Sequence, residues 1–84
     1  MFLSGVVVDP HGRPVRDARV ALTAAPVEVP DIAVLTGEDG GFGIAVPVPG
    51  TYRLGAYVDS GHGEETVEVE QGGAAGVRLV VRPS

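Results

Sequence analysis

Apolar residues recur at every second position along most of this chain, and that period limits what it can fold into. Leu3, Gly5 and Val7 alternate with Ser4 and Val6, and Ala18, Val20 and Leu22 alternate with Arg19, Ala21 and Thr23. The pattern returns at Phe42, Ile44 and Val46, and at Tyr52, Leu54, Ala56 and Val58. It returns again at Val67 and Val69, then at Val77, Leu79 and Val81. Successive side chains of a strand point to opposite faces, so each set predicts one buried and one wetter face. Sixteen valines support strands, because a side chain branched at Cβ suits a pleated surface better than a helix. Only Arg16 to Ala25 has a helix-compatible composition, and its alternation with Pro26 just behind it favours strand.

Turn residues fall between these runs. Asp9-Pro10-His11-Gly12 supplies a proline for the second turn position and a glycine free to take positive φ. Glu38-Asp39-Gly40-Gly41 contains Asp-Gly, which predicts a tight hairpin. Pro49-Gly50 predicts a type II turn, and 59–63 and 71–73 are the remaining breaks. Residues 26–31 form the longest irregular connection, before a weaker strand from about Ile32 to Thr36. Seven strands at short spacing without a helix predict an all-β, seven-stranded antiparallel β-sandwich, one domain over residues 1–84.

Composition narrows the function. The net charge of −5 argues against nucleic acid as a partner. No apolar run approaches the ~20 residues needed to cross a bilayer, so no membrane insertion is expected. With no cysteine, neither a disulfide framework nor a thiolate site can be built.

The order of small motifs resembles a known family. Gly5-x-Val7-x-Asp9, Gly12-x-Pro14, Ala18-x-Val20, Thr36-x-x-Asp39-Gly40-x-Phe42 and Pro49-Gly50-x-Tyr52-x-Leu54 together are similar to the carboxypeptidase regulatory-like domain. That family sits with the transthyretin-like (prealbumin-like) sandwiches and the B-type repeats of collagen adhesins. The resemblance covers nearly the whole chain and implies a non-catalytic module that accompanies another domain, with the first and last strands adjacent. It implies no ligand. Val7-Val8-Asp9 through Gly12-x-Pro14 is also similar to the first motif of transthyretin-like hydroxyisourate hydrolases. That likeness implies a histidine three residues before the aspartate, where this chain has Val6, so the group that would move protons is missing. Asp59, Ser60 and His62 are too close in sequence to make a triad. The isopeptide crosslink of adhesin repeats needs a lysine, and the chain has none.

Two surfaces are candidates for binding. If strands run from end to end, the loops at 9–17, 37–41 and 59–64 share one end of the sandwich. That end gathers Asp9, His11, Asp39, Asp59 and His62 with further acids, a set that suits Ca²⁺ or Zn²⁺ in type. The same residue types occupy turns for conformational reasons, and no EF-hand or His-x₃-His spacing occurs, so no cofactor is expected. The second candidate is apolar. Val6, Val8 and Val80 have outward parity and, with Phe2, form a strip if the first and last strands are neighbours. Docking of a partner protein, a neighbouring domain or a second copy is one expectation for this strip. Met1-Phe2 folding over it is the other.

Other residues carry smaller expectations. Gly5 points inward where something large approaches, and Tyr52 is core with its hydroxyl on a loop carbonyl. Tyr57 faces outward, Arg13, Arg16 and Arg19 lie on a solvated face, and Glu64 to Glu70 pair with Arg78 and Arg82 across a last hairpin. The functional expectation is a non-catalytic structural or protein-interaction module, with weak homo-association as one form of docking. Loop-end binding of a divalent cation or glycan is the alternative, and a transthyretin-like hydrolase comes last.

Overall fold

Period-two alternation is realised as strands throughout the computed structural model, which describes residues 1–83. In chain order they are β1 (Phe2–Val8), β2 (Arg19–Ala24), β3 (Ala33–Leu35) and β4 (Gly41–Ala45). They continue as β5 (Gly50–Val58), β6 (Gly61–Val69), β7 (Ala74–Val80) and β8 (Arg82–Pro83). Two sheets form, a small one ordered β4-β1-β7 and a large one ordered β3-β2-β5-β6-β8. The two-layer sandwich agrees with the sequence, while two details differ. An eighth strand of two residues extends the large sheet, and β1 pairs with β7 in parallel, not antiparallel. Parallel neighbours need a long crossover, and here the rest of the sandwich is that crossover.

The expected inward faces make the core. Leu3, Val7, Ala18, Val20, Ile44, Tyr52, Leu54, Ala56 and Leu79 are at most 1% exposed. Tyr52 lies at the centre with no exposed surface, and its hydroxyl donates to the Val48 carbonyl at 2.6 Å. That bond replaces the type II turn expected at Pro49-Gly50. Gly50 (φ 145°) already belongs to β5, and no turn hydrogen bond spans 48–51 among the described residues. Thr36 is the buried polar side chain. It accepts from the Ala18 amide at 2.9 Å and donates to the Val15 carbonyl at 2.7 Å, pinning the β1–β2 loop to the segment after β3.

Three local expectations change in three dimensions. The turn at 37–40 exists, closed by the Gly40 amide on the Gly37 carbonyl, but β3 and β4 lie in different sheets. It is a corner between layers, not a hairpin. The break at 59–63 shrinks to Asp59-Ser60, because Val58 pairs with Gly61 and Tyr57 with His62. The last hairpin also fails: β6 and β7 belong to different sheets, which separates Arg78 from Glu64 to Glu70. Arg82 stands on β8 opposite His62, with no ion pair to those acids among the described residues. Glu64 instead meets Arg53 at 3.0 Å, and Glu68 accepts from Thr51.

Inward glycines set how closely the layers approach. A Cβ on Gly63 would run into the Val80 carbonyl, and one on Gly61 into the Arg82 carbonyl. The chain can therefore step from β7 over β6 and join the large sheet as β8. Gly5 works in the same way: opposite it β7 bulges, with Gly76 at φ 73°, and the Val77 backbone fills the space of a side chain.

Two substitutions test this packing by urea unfolding. Tyr52→Phe, which loses one hydrogen bond and leaves the Val48 carbonyl unpaired, lowers stability by about 1 kcal/mol. Gly63→Ala forces the β7–β8 step away from β6 and lowers stability by about 1–3 kcal/mol. Wild-type stability in Gly63→Ala would show that the two layers do not close at this point.

Candidate interaction surfaces

The three loops expected to share an end do so. Val15 and the Gly40 turn are in contact, and Asp9, Pro10, Ser60 and Pro83 line one cleft of about 220 Å³. Their ionisable groups do not converge. The Asp9 carboxylate turns back onto its own loop, where Oδ1 accepts from the amides of His11 at 2.8 Å and Arg13 at 3.0 Å. Its Oδ2 accepts from the Arg13 guanidinium at 3.2 Å. Asp39 is committed in the same manner, capping the Gly41 amide at 2.9 Å. His11 is exposed on the first loop, Asp59 occupies the two-residue turn, and His62 belongs to β6. Among the described residues no three His, Cys, Asp or Glu side chains come together around a point that could hold a metal ion.

These bonds act on the Asp9 charge. The Arg13 amide holds its carboxyl below the usual carboxylate range, aided by the His11 amide and the Arg13 guanidinium, while partial desolvation opposes them. A carboxylate with a depressed folded pKa adds stability above its unfolded value of about 3.9, and that stability is lost as pH falls through the folded value.

The apolar strip is displaced from its expected place. Val6 is 37% exposed, Val80 is half-buried, and Val8 is only 5% exposed. Val8 has outward parity and lies outside the core cluster, yet it is flanked by Val80 and by Pro14 of the returning loop. Gly12 of that loop stands close to the Arg78 guanidinium. Val8 is therefore covered and cannot serve as a contact residue. Phe2 takes its place. Met1 and Phe2 do not fold over the strip but continue β1 beside Ala45 and Val46, which leaves the Phe2 ring 64% exposed against Gly43. The outer face of β1 and β4 is then Phe2, Ser4, Val6, Gly41, Gly43 and Ala45, without an ionisable side chain.

A third feature lies on the large sheet and was not read from the sequence. Leu35, Arg19, Tyr57, His62 and Arg82 stand in register, one from each strand, across its outer face. Their local signal was only that each is a single outward residue. Nothing near any of them in sequence points to the other four.

Acidification tests the Asp9 arrangement by NMR. The Asp9 carboxyl titrates below the usual carboxylate range, and the His11 and Arg13 amides lose protection, measured against their intrinsic exchange rates, as pH falls through that point. Asp9→Ala makes their exchange fast at neutral pH as well. Unchanged protection in that variant would show that Asp9 does not hold the loop.

Comparison with known proteins agrees with this architecture. No match was found among curated proteins. The family model described as carboxypeptidase regulatory-like domain matches residues 3–82, which includes six of the strands whole, β2 to β7, and part of β1 and β8. That family is typically a non-catalytic β-sandwich module. The chain belongs to the carboxypeptidase regulatory-like domain family.

Proposed function

We propose that this protein is an accessory interaction module that docks a neighbouring domain or a protein partner through the outer face of its small sheet. The observation that carries this reading is the contrast between the two outer faces. On the small sheet, β1 and β4 present two exposed apolar side chains, Phe2 and Val6, over a floor of glycine, alanine and serine. Arg78 on β7 is the nearest charge in the register. On the large sheet the outer face carries Arg19, Arg53, Tyr57, His62, Glu64 and Glu68. Small residues let a flat partner approach the backbone, while the two large side chains supply anchors. Apolar faces rimmed by polar residues are the usual mark of protein contact sites.

This face binds proteins without chemistry, because no nucleophile, acid or base lies on it apart from the Ser4 hydroxyl. Docking could hold a neighbouring domain at fixed distance or take a second copy of the same face. Both bury Phe2 and Val6.

Sedimentation and hydrophobic-dye binding test the reading. Wild type binds dye and associates at high concentration, whereas Phe2→Glu with Val6→Glu loses both while retaining its strand spectrum and unfolding midpoint. A wild-type protein that neither binds dye nor associates at any accessible concentration would contradict it.

A further inference from the structure

The row across the large sheet is built from groups that recognise flat, charged ligands. Directly opposed residues on paired strands share a face, so Leu35, Arg19, Tyr57, His62 and Arg82 project together from β3, β2, β5, β6 and β8. All five are exposed. The Arg19 guanidinium lies 6.0 Å from the centroid of the Tyr57 ring. Tyr57 and His62 stack with centroids 6.5 Å apart and planes 17° from parallel. The order is therefore cation, ring, ring, cation. Gly55 makes room for it, since the Tyr57 ring leans back along β5 over the place a Cβ would take.

Two further observations point to a ligand. Among the described residues the ion pairs involve Arg13, Arg16 and Arg53, so Arg19 and Arg82, like Arg78 on the small sheet, have no carboxylate partner in a chain with eleven acids. Arg19 and Arg82 are the two that share one face. Beside the row lies an open hollow of about 390 Å³, lined by Arg19, Ala21, Thr23, Asp31, Ala33 and Tyr57. It has a low floor of alanines, one aromatic wall, and a cation, a hydroxyl and a carboxylate around the rim. Arg19 and Asp31 both line it without pairing to each other.

We propose that this row and its hollow bind an acidic oligosaccharide, a chain of uronic-acid-type sugars laid across the strands. The C–H face of one sugar packs on Tyr57 above Ala21 and Ala33, and its hydroxyls bond to Asp31 and Thr23. Its carboxylate takes the Arg19 fork. The chain then follows the row over His62 to Arg82, three strand spacings or about 14 Å away. The same carboxylates argue against a polyacidic peptide or a phosphate chain. Asp31 and, across the row, Asp17 and Asp59 repel any anionic chain, and only a sugar chain offsets that with hydroxyls that donate hydrogen bonds to them. This site lies on the sheet opposite the proposed docking face and does not depend on it.

Titration of isotope-labelled protein with tetragalacturonate tests the proposal, with a neutral tetrasaccharide and tetraglutamate as controls. The amide shifts of Arg19, Ala21, Tyr57, His62 and Arg82 move with tetragalacturonate, while the two controls bind at least tenfold more weakly. Arg19→Gln, Arg82→Gln and Tyr57→Ala each weaken binding about tenfold, and Tyr57→Phe keeps it within about twofold because the ring remains. All five residues are exposed, so the variants retain the fold, as their strand spectra verify. Absence of shifts at millimolar tetragalacturonate would overturn the proposal. So would equal binding of either control, or wild-type affinity in Tyr57→Ala.

Discussion

The step from β7 to β8 holds the two layers as one body. Ala74–Val80 completes the small sheet beside β1, and two residues later Arg82–Pro83 pairs with β6 at the edge of the large sheet. Val81, between them, is 6% exposed and belongs to the core. The crossing is possible because β6 presents Gly61 and Gly63 to it, leaving the Val80 and Arg82 carbonyls against bare backbone. Short cores in chains of this size are weakly stabilised, so a corner where the same segment serves both sheets matters more than its length suggests. It also places Arg82 opposite His62, which completes the outer row of the large sheet.

With the layers joined in this way, the two outer faces differ in chemistry. The small sheet uses glycine, alanine and serine next to Phe2 and Val6, with Arg78 at the side on β7, and the large sheet carries most of the outward charges together with the Tyr57 and His62 rings. The free edge of the large sheet is handled separately. Glu65 has inward parity, opposite Leu54, yet is exposed, and Glu64, Glu68 and Glu70 lie near it. β8 covers only Gly61 and His62 of β6, so the rest of that edge is open to pairing with another chain. Closely spaced carboxylates oppose that pairing between copies.

Much of the interior was legible from parity alone. Tyr52, Leu54 and Ala56 are fully buried, and the Tyr52 hydroxyl reaches a loop carbonyl, because both follow from alternation and the need to satisfy a buried phenol. The start of β6 was missed for a definite reason. Gly61 and Gly63 read as turn residues, although counted as inward positions they continue the alternation through Glu65 to Val67 and Val69. A glycine at a buried strand position shows that another backbone lies over it, and sequence does not say which. The candidate metal residues failed to gather for a related reason. Asp9 and Asp39 are held by the amides of their own turns, which is what Asp does in such loops whether or not an ion is near.

By itself, then, the order of residues determined which side of each strand faces inward, where the chain turns, and that valine-rich faces must close on each other. Those properties are local, arising from side-chain direction and backbone preference over a few neighbours. Tertiary structure alone decided that β1 and β7 run parallel and that Asp39-Gly40 turns between layers. It also covered Val8 with a loop while leaving Phe2 exposed, and it aligned five residues from five strands into one row. Each of these depends on which strands become neighbours. That choice is made by packing between segments far apart in the chain, which no local period encodes.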